Sequence, residues 1–154
     1  MKADNTIKTD NAAYEDRVIL RHVLNLTGRF VICIFSSLRN RDEIRHFLEL
    51  MRRLKRSRPE AALLIAGDGP LLTMVAAGCE YDELTDMVFP IGSTNNPAAI
   101  ISASDAMLVL GVRKHIRLAG SCNTPVLAFD KELSSEDNLR LLEEKILTLP
   151  VPGE

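Results

Sequence analysis

The chain has 154 residues, 46 % of them hydrophobic and 26 % charged, a balance that fits one globular domain and excludes disordered, fibrous and low-complexity classes. Its 19 basic and 21 acidic residues leave a net charge of −2, too weak a field to call for nucleic acid or an anionic membrane as partner. No apolar run approaches the roughly 20 residues of a membrane span.

In chain order, residues 1–10 read as a polar tail or interdomain linker without a signal-peptide core, and 11–150 as a single domain. A helix is expected over Ala12–Leu24. Five short runs rich in Val, Ile, Leu and Phe follow, at Phe30–Phe35, Ala61–Ala66, Met87–Ile91, Met107–Leu110 and Pro125–Phe129, the continuous pattern of strands buried on both faces. Between the first two, Ile44, Phe47, Leu48, Met51 and Leu54 recur at helical spacing, which predicts a crossover helix over Asp42–Arg56 with Asn40 and Glu43 at its capped start. Shorter helices are expected at Leu71–Ala77, Asn96–Ala103 and Lys114–Ser121. Ser135–Leu147 closes the domain, capped by Ser134 or Ser135. Strands alternating with helices predict an α/β, Rossmann-like, doubly wound parallel sheet of about five strands with helices on both faces.

In such a sheet ligands sit beyond the carboxyl ends of the strands. The loops to inspect are therefore Ser36–Arg41, Gly67–Pro70, Gly92–Pro97, Gly111–His115 and Asp130–Ser134. Gly67-Asp68-Gly69-Pro70 follows a strand and opens a helix. Its glycines permit a tight turn whose amides can meet an anion, although the same sequence also serves as an ordinary connection. Arg39 and Arg41 in the first loop, and Arg113, Lys114, His115 and Arg117 in the fourth, face the same end of the sheet and supply charge for phosphate. The run Arg52, Arg53, Lys55, Arg56, Arg58 reads as a solvated helix end that suits the helix dipole. Cys33, Cys79 and Cys122 have neither disulfide-framework nor zinc spacing, and no nucleophile–base pair is visible. No metal, no bound cofactor and a cytoplasmic location are the expectations.

Four ordered segments resemble the C-terminal, nucleotide-sugar-binding half of GT-B glycosyltransferases of the group 1, family 4 type. Leu64-Ile65-Ala66-Gly67-Asp68-Gly69-Pro70-Leu71 is similar to that family's second strand and Gly-Asp-Gly-Pro turn. Met87–Gly92 resembles its strand ending in Phe-x-Gly, Asn96–Asp105 its short helix leading to Ala-Asp, and Asn123–Asp130 its Gly-Thr-Pro-Val segment. The resemblance covers roughly residues 9–149. It implies a domain that binds a UDP- or GDP-type sugar donor through Gly67, Asp68, Gly69, Pro70, Gly92 and Ser93, with Arg113 and Lys114 toward phosphate and Arg39 and Arg41 of the first loop as a substitute grip. Transfer would then need an acceptor domain supplied elsewhere. No catalytic residue is assigned. The family's diphosphate-gripping Arg and Lys are matched here by Ser37 and Asp42, and the Glu that holds the nucleotide ribose by Leu118. That departure keeps a second reading open, a non-catalytic domain of the same fold serving oligomerisation or partner binding. A nicotinamide site is disfavoured because no Gly-x-Gly-x-x-Gly follows the first strand.

Overall fold

The apolar runs become strands of one parallel sheet in a computed structural model, which describes residues 17–111 and 113–150. The strands are β1 (Phe30–Phe35), β2 (Ala61–Ala66), β3 (Val88–Gly92), β4 (Ala106–Val109) and β5 (Val126–Ala128). The helices are α1 (17–23), α2 (Arg41–Ser57), α3 (Leu72–Tyr81), α4 (Pro97–Ser102), α5 (Ile116–Ser121) and α6 (Ser135–Thr148). The strand order is β3-β2-β1-β4-β5, with every pairing parallel. The chain thus runs outward from β1 through β2 and β3, then returns to lay β4 on the other side of β1. That reversal leaves a crevice between the loops after β1 and β4. The expected fold is the observed one. The expected tail at 1–10 and the first residues of the expected Ala12–Leu24 helix lie outside the described residues.

Alternation along the central strands builds two cores. Phe30, Ile32, Ile34, Leu63, Ile65, Ala106 and Leu108 face α2, α3 and α6, while Val31, Cys33, Ala62, Leu64, Met107 and Val109 face α4, α5 and the segment around Leu20–Leu26. Helix α2 starts at Asn40, whose side chain accepts from the Asp42 and Glu43 amides, and Ser134 caps α6. Helix α3 runs past the expected end at Ala77 to Tyr81. Gly78 permits this: any Cβ there would collide with the Leu48 side chain, so the glycine marks close helix packing rather than a stop. Helix α5 begins two residues later than expected, because His115 takes a left-handed conformation (φ 65°) at its N-cap. The basic run after Leu50 is largely paired. Arg52 bonds Glu49 and Asp82, Arg53 bonds Glu49 and Glu136, and Lys55 donates to the Glu83 carbonyl. Arg58 lies buried over the Phe30 ring, 4.0 Å from its centroid.

Two constraints position the crevice. At the lower edge of the sheet, Asp105 accepts from the Val31 amide at 2.8 Å and pairs with Arg17 at 3.0 Å and Arg21 at 3.2 Å. Arg21 also donates to the Ala103 and Arg29 carbonyls, so one buried arginine joins α1 to the entries of β1 and β4. At the upper edge, the Gly67–Pro70 turn lies directly on the loop after β1. A Cβ on Gly67 would run into the Ser36 carbonyl and one on Gly69 into the Ser37 carbonyl. Gly67 also has φ 146°, which L side chains rarely adopt.

Both constraints are testable by thermal or denaturant unfolding. Asp105→Ala leaves Arg21 buried without its counter-charge and is expected to cost about 3 kcal/mol. Gly67→Ala forces two backbone segments apart and is expected to cost about 3 kcal/mol or more. Losses under about 1 kcal/mol would contradict the packing described.

Candidate functional site

The crevice holds a pocket of about 360 Å³ at the carboxyl ends of β1 to β4, walled by Phe35, Ser36, Ser37, Glu43, Gly67, Asp68, Ser93, Thr94, Lys114 and His115. Each wall comes from a different turn, and the turns are stitched together. The Ser36 amide bonds the Ala66 carbonyl at 3.0 Å and the Leu71 amide bonds the Leu38 carbonyl at 3.0 Å. The Ser36 hydroxyl accepts from the Leu38 amide at 3.0 Å and donates to a Glu43 carboxylate oxygen. Leu38, fully buried, is held at φ 52°. With His115 this places a left-handed, non-glycine residue in each of the two loops that flank the crevice, a cost of about 1–3 kcal/mol apiece that such loops carry where their shape is over-determined.

Of the ten residues expected at the site, Gly67, Asp68, Ser93 and Lys114 line the pocket together. Gly69 and Pro70 shape the turn behind it, and Gly92 accepts from the Gly67 amide at 2.8 Å. The arginines diverge. Arg39 is exposed, and the Arg41 guanidinium reaches toward Met74 on α3. Arg113 lines a separate depression on the far side of β4 with Phe129 and Lys131. Ser37 is in the wall, whereas Asp42 turns outward to Arg45 at 3.0 Å. Leu118 is partly buried and packs against the core on the α4–α5 face. Arg117 is exposed.

Glu43 is the residue the sequence concealed. It reads as a capping partner in the first turn of α2, yet its side chain bonds Ser36 rather than returning to Asn40. Its other oxygen lies 3.3 Å from where a Cβ on Gly111 would stand. A carboxylate thus occupies the switch point itself. A carboxylate one turn into a helix that follows a switch-point strand is the signal that could have found it.

The chemistry of the wall is mixed. Glu43 and Asp68 carry negative charge, Lys114 positive, and four hydroxyls lie between. His115 stacks edge-on against Phe35, with ring centroids 4.6 Å apart. Its pKa is lowered from the usual 6.5, chiefly by burial and then by the Lys114 ammonium. Three of the turn amides that the sequence offers to an anion are already engaged: Gly67 by Gly92, Leu71 by Leu38, and Gly69 by the Asp68 carboxylate at 2.9 Å. Burial pushes the Cys33 thiol up to about 12 and Cys79 to about 11, so neither is a ready nucleophile. Among the described residues no group of three or more His, Cys, Asp or Glu is arranged to hold a metal ion, and no helix is long and apolar enough to cross a membrane.

HepE of Anabaena, solved with UDP and glucose, matches at a TM-score of 0.73 and 16 % identity, over 86 % of this chain and 42 % of that one. WaaG, a glycosyltransferase involved in lipopolysaccharide biosynthesis, matches at 0.70 and 18 %, over 86 % and 42 %. TarM of S. aureus, solved in complexes that include UDP, matches at 0.68 and 19 %, over 79 % and 28 %. The TM-scores show a shared fold and nothing finer at these identities, and the chain spans less than half the length of each of the three. No sequence among the curated proteins matches. The sequence profile of the family described as glycosyl transferases group 1 covers residues 16–137, well over half of the chain. By that match, and by the fold it shares with these structures, the chain belongs to the glycosyl transferases group 1 family.

Proposed function

We propose that this domain is the donor side of a glycosyltransferase cleft, taking a UDP- or GDP-type nucleotide sugar and relying on an acceptor-binding domain or partner polypeptide for transfer. One observation carries this reading: Gly67, Asp68, Ser93 and Lys114 converge on a single pocket at the topological switch point of the sheet, where folds of this kind bind nucleotides. The occurrence of UDP in the HepE and TarM structures is consistent with it. In this reading the Gly67–Pro70 turn sets the shape of the pocket, Gly92 and Ser93 offer backbone and hydroxyl to base or ribose, and Lys114 is the cation nearest the phosphates. Arg39, Arg41 and Arg113 would have to swing inward to contribute.

A second reading, a non-catalytic domain that keeps the fold for partner binding or oligomerisation, is favoured by a specific feature. Two carboxylates, Glu43 and Asp68, face one ammonium in the wall, where a diphosphate calls for charge-assisted donors.

Thermal shift with uridine, guanosine and adenosine ligands, each as nucleoside and as diphosphate, separates the two. A ligand at about 100 times its Kd adds about 2.7 kcal/mol to stability, which raises the midpoint by about 5 °C or more for a domain of this size. A shift with one base supports the donor reading and names the base. No shift at millimolar concentration with any of them supports the partner-binding reading.

His115 provides an independent probe of the pocket wall. With its folded pKa lowered, its contribution to stability is present above the unfolded value of about 6.5 and is lost as pH falls through the folded value. Histidine NMR titration is expected to place His115 below 6.5, and Lys114→Ala to move it upward. A midpoint at or above the usual value in the unaltered chain would contradict the wall as described.

A further inference from the structure

We propose that the crevice recognises the uncharged parts of a nucleotide sugar, the nucleoside and the sugar hydroxyls, and offers its diphosphate no net attraction, so that charge compensation comes from outside this pocket. The proposal rests on the donor-side reading and specifies what that site selects.

Three independent features lead to it. First, the two carboxylates are built in rather than incidental. Glu43 is held by the Ser36 hydroxyl on one side and lies against Gly111 on the other, bridging the loops after β1 and β4. Asp68 is held by the Gly69 amide. A diphosphate in the crevice would lie beside both, opposed by Lys114 alone.

Second, the usual substitutes for side-chain cations are reduced. The amides of Gly67, Gly69 and Leu71 already have protein acceptors. Helix α5, whose start faces the crevice, has only six residues, so its dipole is short. Arg113 faces the depression on the other side of β4.

Third, what the wall does present suits sugars and nucleosides. Carboxylates accept hydrogen bonds from hydroxyl groups without needing a cation, and Ser36, Ser37, Ser93 and Thr94 supply groups that both donate and accept. Phe35, braced edge-on by His115, adds an apolar ring surface that can lie against a base or a sugar ring.

The experiment is calorimetry on the full chain with the nucleoside, its monophosphate and its diphosphate, in the uridine, guanosine and adenosine series, at low and high salt. Affinity is expected to stay level or fall as phosphates are added. Diphosphate binding is expected not to weaken with salt, because the charges of the wall offer the diphosphate no net attraction for salt to screen. Glu43→Gln keeps an acceptor for Ser36 while removing one negative charge, and is expected to raise the ratio of diphosphate to nucleoside affinity about tenfold. Asp68→Asn, which keeps the acceptor for Gly69, is expected to act in the same direction. A diphosphate that binds more than about tenfold tighter than its nucleoside, and weakens with salt, would overturn the proposal and leave the donor-side reading standing. Failure of every nucleoside and nucleotide to bind would overturn the donor-side reading itself, and this proposal with it.

Discussion

Two backbone turns lie closer together at the upper edge of this sheet than any residue with a Cβ allows, and the pocket takes its shape from that contact. Gly67 and Gly69 press on the Ser36 and Ser37 carbonyls, while Leu38, forced to a left-handed conformation, receives the Leu71 amide. The contact carries the loop after β1 over the end of β2 and sets the Ser36 hydroxyl where it meets Glu43. The Gly-Asp-Gly-Pro sequence is therefore explained by packing before any ligand is considered. The Gly67 and Gly69 amides serve the fold, and Asp68 with the surface of Gly67 remains for a ligand.

Much of the fold was legible in the sequence because two-sided burial imposes an uninterrupted apolar code. Strands β1 and β2 fall where Phe30–Phe35 and Ala61–Ala66 predict them. Strands β3, β4 and β5 differ from the expected bounds by one residue at each end, where loops rather than burial set the limits. Helix α2 was readable from its stripe of Ile44, Phe47, Leu48, Met51 and Leu54, all buried. Helix α3 continues through Gly78 to Tyr81, where local propensity argues for a stop and packing on Leu48 outweighs it. The role of Asp105 had no local signal, as its partners Arg17 and Arg21 lie more than 80 positions away.

The site was less legible than the fold, for a geometric reason. Loop residues can be assigned to the right end of a sheet from strand order alone, but which way a side chain turns is decided by two or three neighbouring dihedrals. Lys114 and Arg113 are adjacent in sequence, yet they line different depressions on either side of β4. Arg41 sits at the first turn of α2, close to the crevice, yet reaches toward α3. Glu43, one turn along the same helix, points inward. The result is a crevice in the right place for a nucleotide, with a charge pattern opposite to what a diphosphate calls for. Family membership and fold are independent of that charge pattern.

The most direct measurement of that account is residue-resolved NMR mapping of ligand binding, with uridine and guanosine nucleosides and their nucleotide sugars added to the labelled chain. Amide shifts should concentrate at Ser36, Ser37, Gly67, Asp68, Ser93 and Lys114, the residues that share the crevice. Shifts centred instead on Arg113, Phe129 and Lys131 across β4, or none at any residue, would contradict it.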